Sequence, residues 1–174
     1  MKTEVLFANM PHMFGLVLLS GLALLWSGCA KSPEFGSEEW KLDKIQKAEQ
    51  GNANAQFDLG CFYLMGFGMP QDEEEAVKWF RKSAEQGNSN ALLALGKCYL
   101  SGKGVPEDKA EAIRIFRKSA EQGNGHAMFR LGMCYMVGEG VPQDEAESKK
   151  WFEAAAKKGV TGKPSNTGFR FSPL

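Results

Sequence analysis

The sequence predicts an all-α fold in which helical hairpins stack into a solenoid, and three observations support this prediction. The octapeptide RKSAEQGN occurs at residues 81–88 and again, unchanged, at residues 117–124, which sets a period of 36 residues. Apolar residues recur at matched places in every unit, and a Gly-x-Gly-x-Pro-x-Asp turn divides each unit into two halves. A fixed period between about 20 and 50 residues is the sequence signature of a solenoid.

Three full units follow one another without a gap, and an N-terminal half repeat precedes them. The units cover residues 52–87, 88–123 and 124–159, and residues 37–51 match the second half of a unit. Because one hairpin cannot bury its apolar face alone, each copy must stack on its neighbour, and equal contacts require equal residues. The matched core positions include Leu59, Leu95 and Leu131; Phe80, Phe116 and Phe152; and Ala84, Ala120 and Ala156.

Each unit contains two helical patterns on either side of its glycine-rich turn. The first glycine of the turn suits the left-handed conformation that ends a helix, and the proline prevents that helix from continuing. The turn's aspartate is placed to cap the second helix, and we expect the glutamate three residues later to complete a capping box. These pairs are Asp72 and Glu75, Asp108 and Glu111, and Asp144 and Glu147.

The repeated motif resembles a known family. The pattern A-x-x-x-L-G-x-x-Y-x-x-G-x-G-x-P-x-D begins at Ala55, Ala91 and Ala127 and is similar to the Sel-one-like repeats, relatives of the tetratricopeptide repeats with a longer turn. The likeness extends over residues 37–159, with Met69 in place of the usual Val and Ser148 in place of a small Ala. The resemblance implies a right-handed α-solenoid that binds other proteins rather than performing chemistry.

In such stacks the first helix of each hairpin lines a concave groove, and excluding the core stripe identifies its outward positions. A solvated helix face should be charged, whereas these positions are mostly apolar, which is typical of an interaction site. The alternative is tight curvature, with these residues meeting across units or covered by the C-terminal tail. The predicted groove residues are Asn54, Phe57, Cys61, Met65, Asn90, Leu93, Lys97, Ser101, His126, Phe129, Met133 and Val137.

Residues 13–28 form an uncharged apolar run that is too short to span a bilayer comfortably and fits a secretory signal better. Cys29 follows in the stretch WSGCAKS, which resembles the lipobox of bacterial lipoproteins. In that family the cysteine is acylated, and the residue after it, here Ala30, directs the protein to the outer membrane. The alternatives are an ordinary signal cut after Ala30, giving a secreted or periplasmic protein, and an uncleaved anchor.

These observations divide the chain into four parts. Residues 1–28 are the predicted signal peptide, residues 29–36 a tether, residues 37–159 the solenoid and residues 160–174 a tail without the repeat pattern. Phe169 and Phe171 are the large apolar residues of the tail, and they either cap the last hairpin or serve as a ligand for another protein.

Composition disfavours several classes of function. The net charge is zero, which argues against nucleic-acid binding, and no pair of Cys or His has zinc-like spacing, so we expect neither a metal nor a cofactor. Cys98 and Cys134 occupy equivalent core positions, whereas Cys61 faces the groove. Related secreted repeat proteins bridge the two helices of a hairpin through paired Cys, but the second helices here contain none.

We therefore expect a non-enzymatic scaffold of the bacterial cell envelope, lipid-anchored and facing the periplasm, that binds a protein or peptide in its concave groove. The rival hypothesis is a cell-wall or antibiotic-binding protein with weak hydrolase activity, because some relatives have been credited with such ligands. His126 alone, without a placed nucleophile and carboxylate, makes no catalytic triad.

Overall fold

The computed structural model describes residues 36–161, and this part of the chain folds into seven α-helices without a β-strand. The helices are α1 (Glu38–Glu49), α2 (Ala53–Met65), α3 (Glu73–Glu85), α4 (Ser89–Ser101), α5 (Lys109–Glu121), α6 (Gly125–Val137) and α7 (Glu145–Lys157). Each helix packs against the helices before and after it in the chain. The pairs α2/α3, α4/α5 and α6/α7 are the predicted hairpins, α1 is the half repeat, and the all-α prediction is confirmed.

Side-chain caps start every helix, and those of α3, α5 and α7 are the predicted aspartates. The side chains of Asp72, Asp108 and Asp144 accept backbone N–H groups at the starts of α3, α5 and α7. Asparagine side chains do the same for α2, α4 and α6. Gly66 ends α2 with a φ of 67°, a left-handed conformation that glycine adopts without strain. Local sequence alone therefore fixes where the helices begin and end.

The second half of the predicted capping box is wrong. In a full box Glu75 would accept the backbone N–H of Asp72, but that N–H donates to the carbonyl of Tyr63, at 2.9 Å. Glu75 instead pairs with Lys78, which lies three residues further along α3. Glu111 and Glu147 likewise pair with Arg114 and Lys150. The carbonyl of the preceding helix satisfies the cap's own N–H, so the glutamate is not needed there.

A phenylalanine lies against a glycine in the middle of every hairpin. A Cβ atom added at Gly96 would come within 2.5 Å of Cε1 of Phe116, and one added at Gly60 within 2.6 Å of Cε1 of Phe80. Phe80 and Phe116 are fully buried. Glycine is therefore required at these helical positions, because any side chain would push the two helices of a hairpin apart.

The repeated octapeptide makes contacts within its own hairpin and contacts that join that hairpin to the next. Arg117 donates to the hydroxyl of Tyr135 on the following hairpin, at 2.7 Å. Ser119 donates to the carbonyl of Ser89, at 2.7 Å, and ties α5 to the start of α4. Ala120 is buried, and Asn124 caps α6. Arg81, Ser83, Ala84 and Asn88 make the same four contacts one repeat earlier.

The last hairpin departs from the pattern because no further hairpin follows it within residues 36–161. Ala84 and Ala120 are buried, as predicted, but Ala156 is exposed, so its assignment to the core is wrong. The preceding residue, Ala155, is fully buried, as are the equivalent Ser83 and Ser119. Ala84 is covered by α4 of the next repeat, and among the described residues α7 has no such neighbour.

Within residues 36–161 no helix is long and apolar enough to cross a membrane.

We predict that Gly96→Ala lowers the free energy of unfolding by about 1–3 kcal/mol, because the added methyl group collides with the buried Phe116 ring. Helix propensity alone predicts the opposite sign, a gain of about 1 kcal/mol. Urea denaturation followed by circular dichroism measures the change. The control is Lys97→Ala on the same helix, which removes an exposed side chain and should shift stability by less than about 0.5 kcal/mol. A stability equal to or above that of the wild type in Gly96→Ala would contradict the proposed contact.

Candidate protein-binding face

The predicted groove residues occupy four equivalent positions on α2, α4 and α6, and we call this set the α2–α4–α6 face. The four positions are Asn54, Asn90 and His126; Phe57, Leu93 and Phe129; Cys61, Lys97 and Met133; and Met65, Ser101 and Val137.

A ladder of asparagines runs along the first position and joins successive hairpins. Nδ2 of Asn88 donates to Oδ1 of Asn54 at 3.1 Å, and Nδ2 of Asn124 donates to Oδ1 of Asn90 at 2.8 Å. Asn88 and Asn124 also accept backbone N–H groups as the caps of α4 and α6. The ladder thus fixes the side-chain amides of Asn54 and Asn90, whose Oδ1 atoms accept these hydrogen bonds. Each Nδ2 group then remains as a donor for a ligand.

Aromatic rings at the second position lie between the core and the surface. The ring of Phe57 is 6.0 Å from that of Phe80, and the ring of Phe129 is 5.1 Å from that of Phe152. Both Phe57 and Phe129 are partly exposed. Leu93, in contrast, is only 8% exposed, so its assignment to the groove is wrong. It belongs to the apolar cluster between α4, α5 and α6, which removes it from the surface.

The most exposed apolar side chains of the face lie at its fourth position. Met65 is 65% exposed and Val137 is 56% exposed. Met133, at the third position, is partly exposed. Lys97 is exposed and is the only Lys, Arg, Asp or Glu among the twelve residues of the face. The face therefore combines apolar area with a few polar groups and little charge.

Buried thiols make cysteine chemistry unfavourable. Cys61, Cys98 and Cys134 are free thiols, and burial raises the pKa of each to about 11. At Cys61 the negative charge of Asp58 contributes to this rise in pKa. The thiolate is the reactive form, so these groups are poor nucleophiles near neutral pH. Residues 36–161 also contain no group of His, Cys, Asp and Glu that would hold a metal ion.

Sequence reasoning missed a cleft of about 220 Å³ between α3, α4 and α5. Ile115 lies in its wall, and we call it the Ile115 cleft. The sequence contained a signal for it, because position 115 is Ile where the equivalent positions of the neighbouring units are Trp79 and Trp151. The predicted lipidation site Cys29 and the tail residues Phe169 and Phe171 lie outside the described residues.

The profile of the Sel1 repeat family matches the chain three times in succession, at residues 53–88, 89–124 and 125–160. These matches follow the period of 36 residues and begin at the first residue of α2, of α4 and of α6. A search of curated proteins returned no significant match.

Solved structures of similar proteins have the same architecture. A Sel1 repeat protein from Oxalobacter formigenes is 32% identical, with a TM-score of 0.66 over 70% of this chain and 47% of its own. The protein c5321, described as a protective antigen present in uropathogenic Escherichia coli strains and displaying an SLR fold, is 44% identical, with a TM-score of 0.65 over 68% of this chain. Cysteine-rich protein B of Helicobacter pylori is 25% identical, with a TM-score of 0.59 over 72% of this chain and 93% of its own.

The chain spans about half the length of the Oxalobacter protein and a quarter of that of c5321. Sel1 repeat proteins are generally scaffolds for protein–protein interaction and are typically not enzymes. Three consecutive matches to the family profile and a shared helical solenoid lead to one conclusion: the chain belongs to the Sel1 repeat family.

Proposed function

We propose that this chain is a non-enzymatic scaffold that binds an extended segment of another protein along the α2–α4–α6 face. The observation that carries the proposal is the exposure of Met65 and Val137, at 65% and 56%, on helices whose solvated side should be charged. Large apolar side chains in such positions typically mark an interaction site. Methionine suits this role because its flexible side chain adapts to different partners.

The polar groups of the face suit the backbone of a bound peptide. The Nδ2 groups of Asn54 and Asn90, held one repeat apart by the asparagine ladder, are donors for peptide carbonyl oxygens. Lys97 adds a positive charge in the middle hairpin, opposite which an acidic residue of the partner would fit. The partly exposed rings of Phe57 and Phe129 supply apolar contact on either side.

We predict that the double substitution Met65→Glu and Val137→Glu weakens binding of the partner by more than tenfold, because it places two charges in the apolar contact. A photo-crosslinking residue at position 97 in intact cells first captures the partner for identification by mass spectrometry. The affinity of purified wild-type and variant protein for that partner is then measured by calorimetry.

The matched control is Leu42→Glu, because Leu42 is an apolar residue of α1 that is 66% exposed, close to the exposure of Met65. It should leave the affinity unchanged, and all variants should retain the helical circular dichroism of the wild type. Equal affinity of the double variant and the wild type would show that the partner binds elsewhere.

We further propose that the scaffold is attached to the outer membrane of a bacterial envelope through lipids on Cys29. The support is the apolar run at residues 13–28, followed by the stretch WSGCAKS. Each buried methylene contributes about 0.8 kcal/mol, so several acyl chains on one cysteine hold a protein at a membrane stably. The tether at residues 29–36 then joins the anchor to the solenoid.

We predict that the mature chain begins with an acylated Cys29. The substitution Cys29→Ser should then remove the protein from the membrane fraction. Mass spectrometry of the N-terminal peptide and fractionation of cells measure the two effects. The control is Cys61→Ser, which removes a partly buried thiol of the solenoid and should leave the protein in the membrane fraction. An unmodified peptide that begins at Lys31 would contradict the proposal.

A further inference from the structure

The Ile115 cleft has an apolar floor and a charged rim. Its lining includes Ala84 and Glu85 of α3, Leu92, Leu95 and Tyr99 of α4, and Ile115 and Lys118 of α5. At the rim the guanidinium of Arg81 donates to the hydroxyl of Tyr99, at 2.8 Å. The cleft thus lies at the junction of two hairpins. At this place the repeat predicts closely packed apolar side chains rather than a gap.

The preceding junction shows what is missing from the cleft. There Trp79 is 7% exposed and packs in one apolar cluster with Ala48 and Leu59. At the cleft, the residues equivalent to Ala48 and Leu59 are Ala84 and Leu95, which form the floor. Ile115, which is smaller than the equivalent Trp79, packs against them.

The following junction repeats the filled arrangement. Trp151 packs against the cluster that contains Ala120 and Leu131, which are again the equivalent residues. A tryptophan therefore packs at this position in two of the three junctions, whereas the third has Ile115 and a cleft beside it.

The rim of the cleft retains the cation that accompanies the Trp79 ring in the preceding junction. Nζ of Lys82 lies 3.9 Å from the centroid of the Trp79 ring, a cation–π contact. Lys118 is the residue equivalent to Lys82, and it lines the cleft. A ring bound in the cleft would therefore regain this contact.

The size of the cleft suits a phenyl ring. Benzene binds in an apolar protein cavity of about 150 Å³. The Ile115 cleft, at about 220 Å³, has room for a phenyl ring and its attached methylene group.

The start of the C-terminal tail lies beside the end of α5, the helix that contributes Ile115 to the cleft. Val160 is packed against Gly125, and Nζ of Lys158 lies close to Gly123, two residues beyond the end of α5. Along the α5 axis Gly123 is about 12 Å from Ile115 at 1.5 Å per residue. Eight residues of extended chain from Thr161 to Phe169 span up to about 26–29 Å, a length that exceeds this distance.

We propose that the Ile115 cleft binds the chain's own Phe169-Arg170-Phe171 segment, with one phenyl ring in the place that Trp79 and Trp151 fill in the neighbouring junctions. At the rim Glu111 pairs with Arg114, and Arg170 of the segment supplies a charge complementary to Glu85, which lies there beside Arg81 and Lys118. The docked tail covers the gap in the stack and is separate from the α2–α4–α6 face.

The isoleucines of the chain give a direct test by nuclear magnetic resonance. There are three, Ile45, Ile113 and Ile115, so a sample of the full chain in detergent micelles with labelled isoleucine δ1-methyl groups gives three signals. We expect nuclear Overhauser cross-peaks between the Ile115 methyl group and phenyl protons of Phe169 or Phe171, distinct from those of Phe80 in the same cluster. They should be lost in Phe169→Leu with Phe171→Leu, which removes both rings but keeps the tail apolar.

The control is Phe67→Leu, the same replacement at a ring that is 47% exposed outside the cleft, and it should leave the Ile115 cross-peaks unchanged. The signals of Ile45 and Ile113 should not move in the tail variant. Identical Ile115 cross-peaks in the wild type and the tail variant would overturn the proposal. So would cross-peaks that weaken on dilution, because the ring would then come from a second copy of the chain.

Discussion

Ala84 of α3 packs against Leu95 of α4, and Ala120 of α5 packs in one cluster with Leu131 of α6, so neighbouring hairpins share a single apolar interior. No hairpin of this size covers its own apolar side, and burial against the neighbour is the main favourable term in folding. The small alanine at each junction lets the helices approach, and the Arg–Tyr and Asn–Asn hydrogen bonds then fix their relative position. The α2–α4–α6 face exists only because this stacking sets its four positions side by side.

The elements of the fold could be predicted from the sequence because their determinants are local and are repeated three times. Helix starts follow from capping aspartates and asparagines, and the ends of the first helices follow from left-handed glycines. Leu93 and Ala156 could not be placed correctly, because their burial depends on what packs on them from another hairpin. The capping box was predicted in full although the carbonyl of Tyr63 from the preceding helix satisfies the N–H of Asp72. These errors share one cause, which is that a local sequence pattern does not report contacts between different helices.

Departures from the repeat carry the functional information of this chain. Ile115 replaces a tryptophan and opens a cleft at one of the junctions, a feature that the repeat motif itself does not encode. Lys97 and His126 likewise differ from their counterparts in the other hairpins, which gives each segment of the face a different chemistry. The residues that the units share build the stacked scaffold, whereas the residues that differ between units determine which partner binds. Lipids on Cys29 would then determine where the scaffold meets that partner.

Native-state hydrogen exchange of the full chain tests most directly whether the hairpins stabilise one another. In a stack held together by shared interiors, the middle hairpin has neighbours on both sides and opens least often. Amides of α4 and α5 should therefore exchange more slowly than those of α1 and α7. Equal exchange free energies in α2/α3, α4/α5 and α6/α7, with each hairpin opening independently, would contradict it.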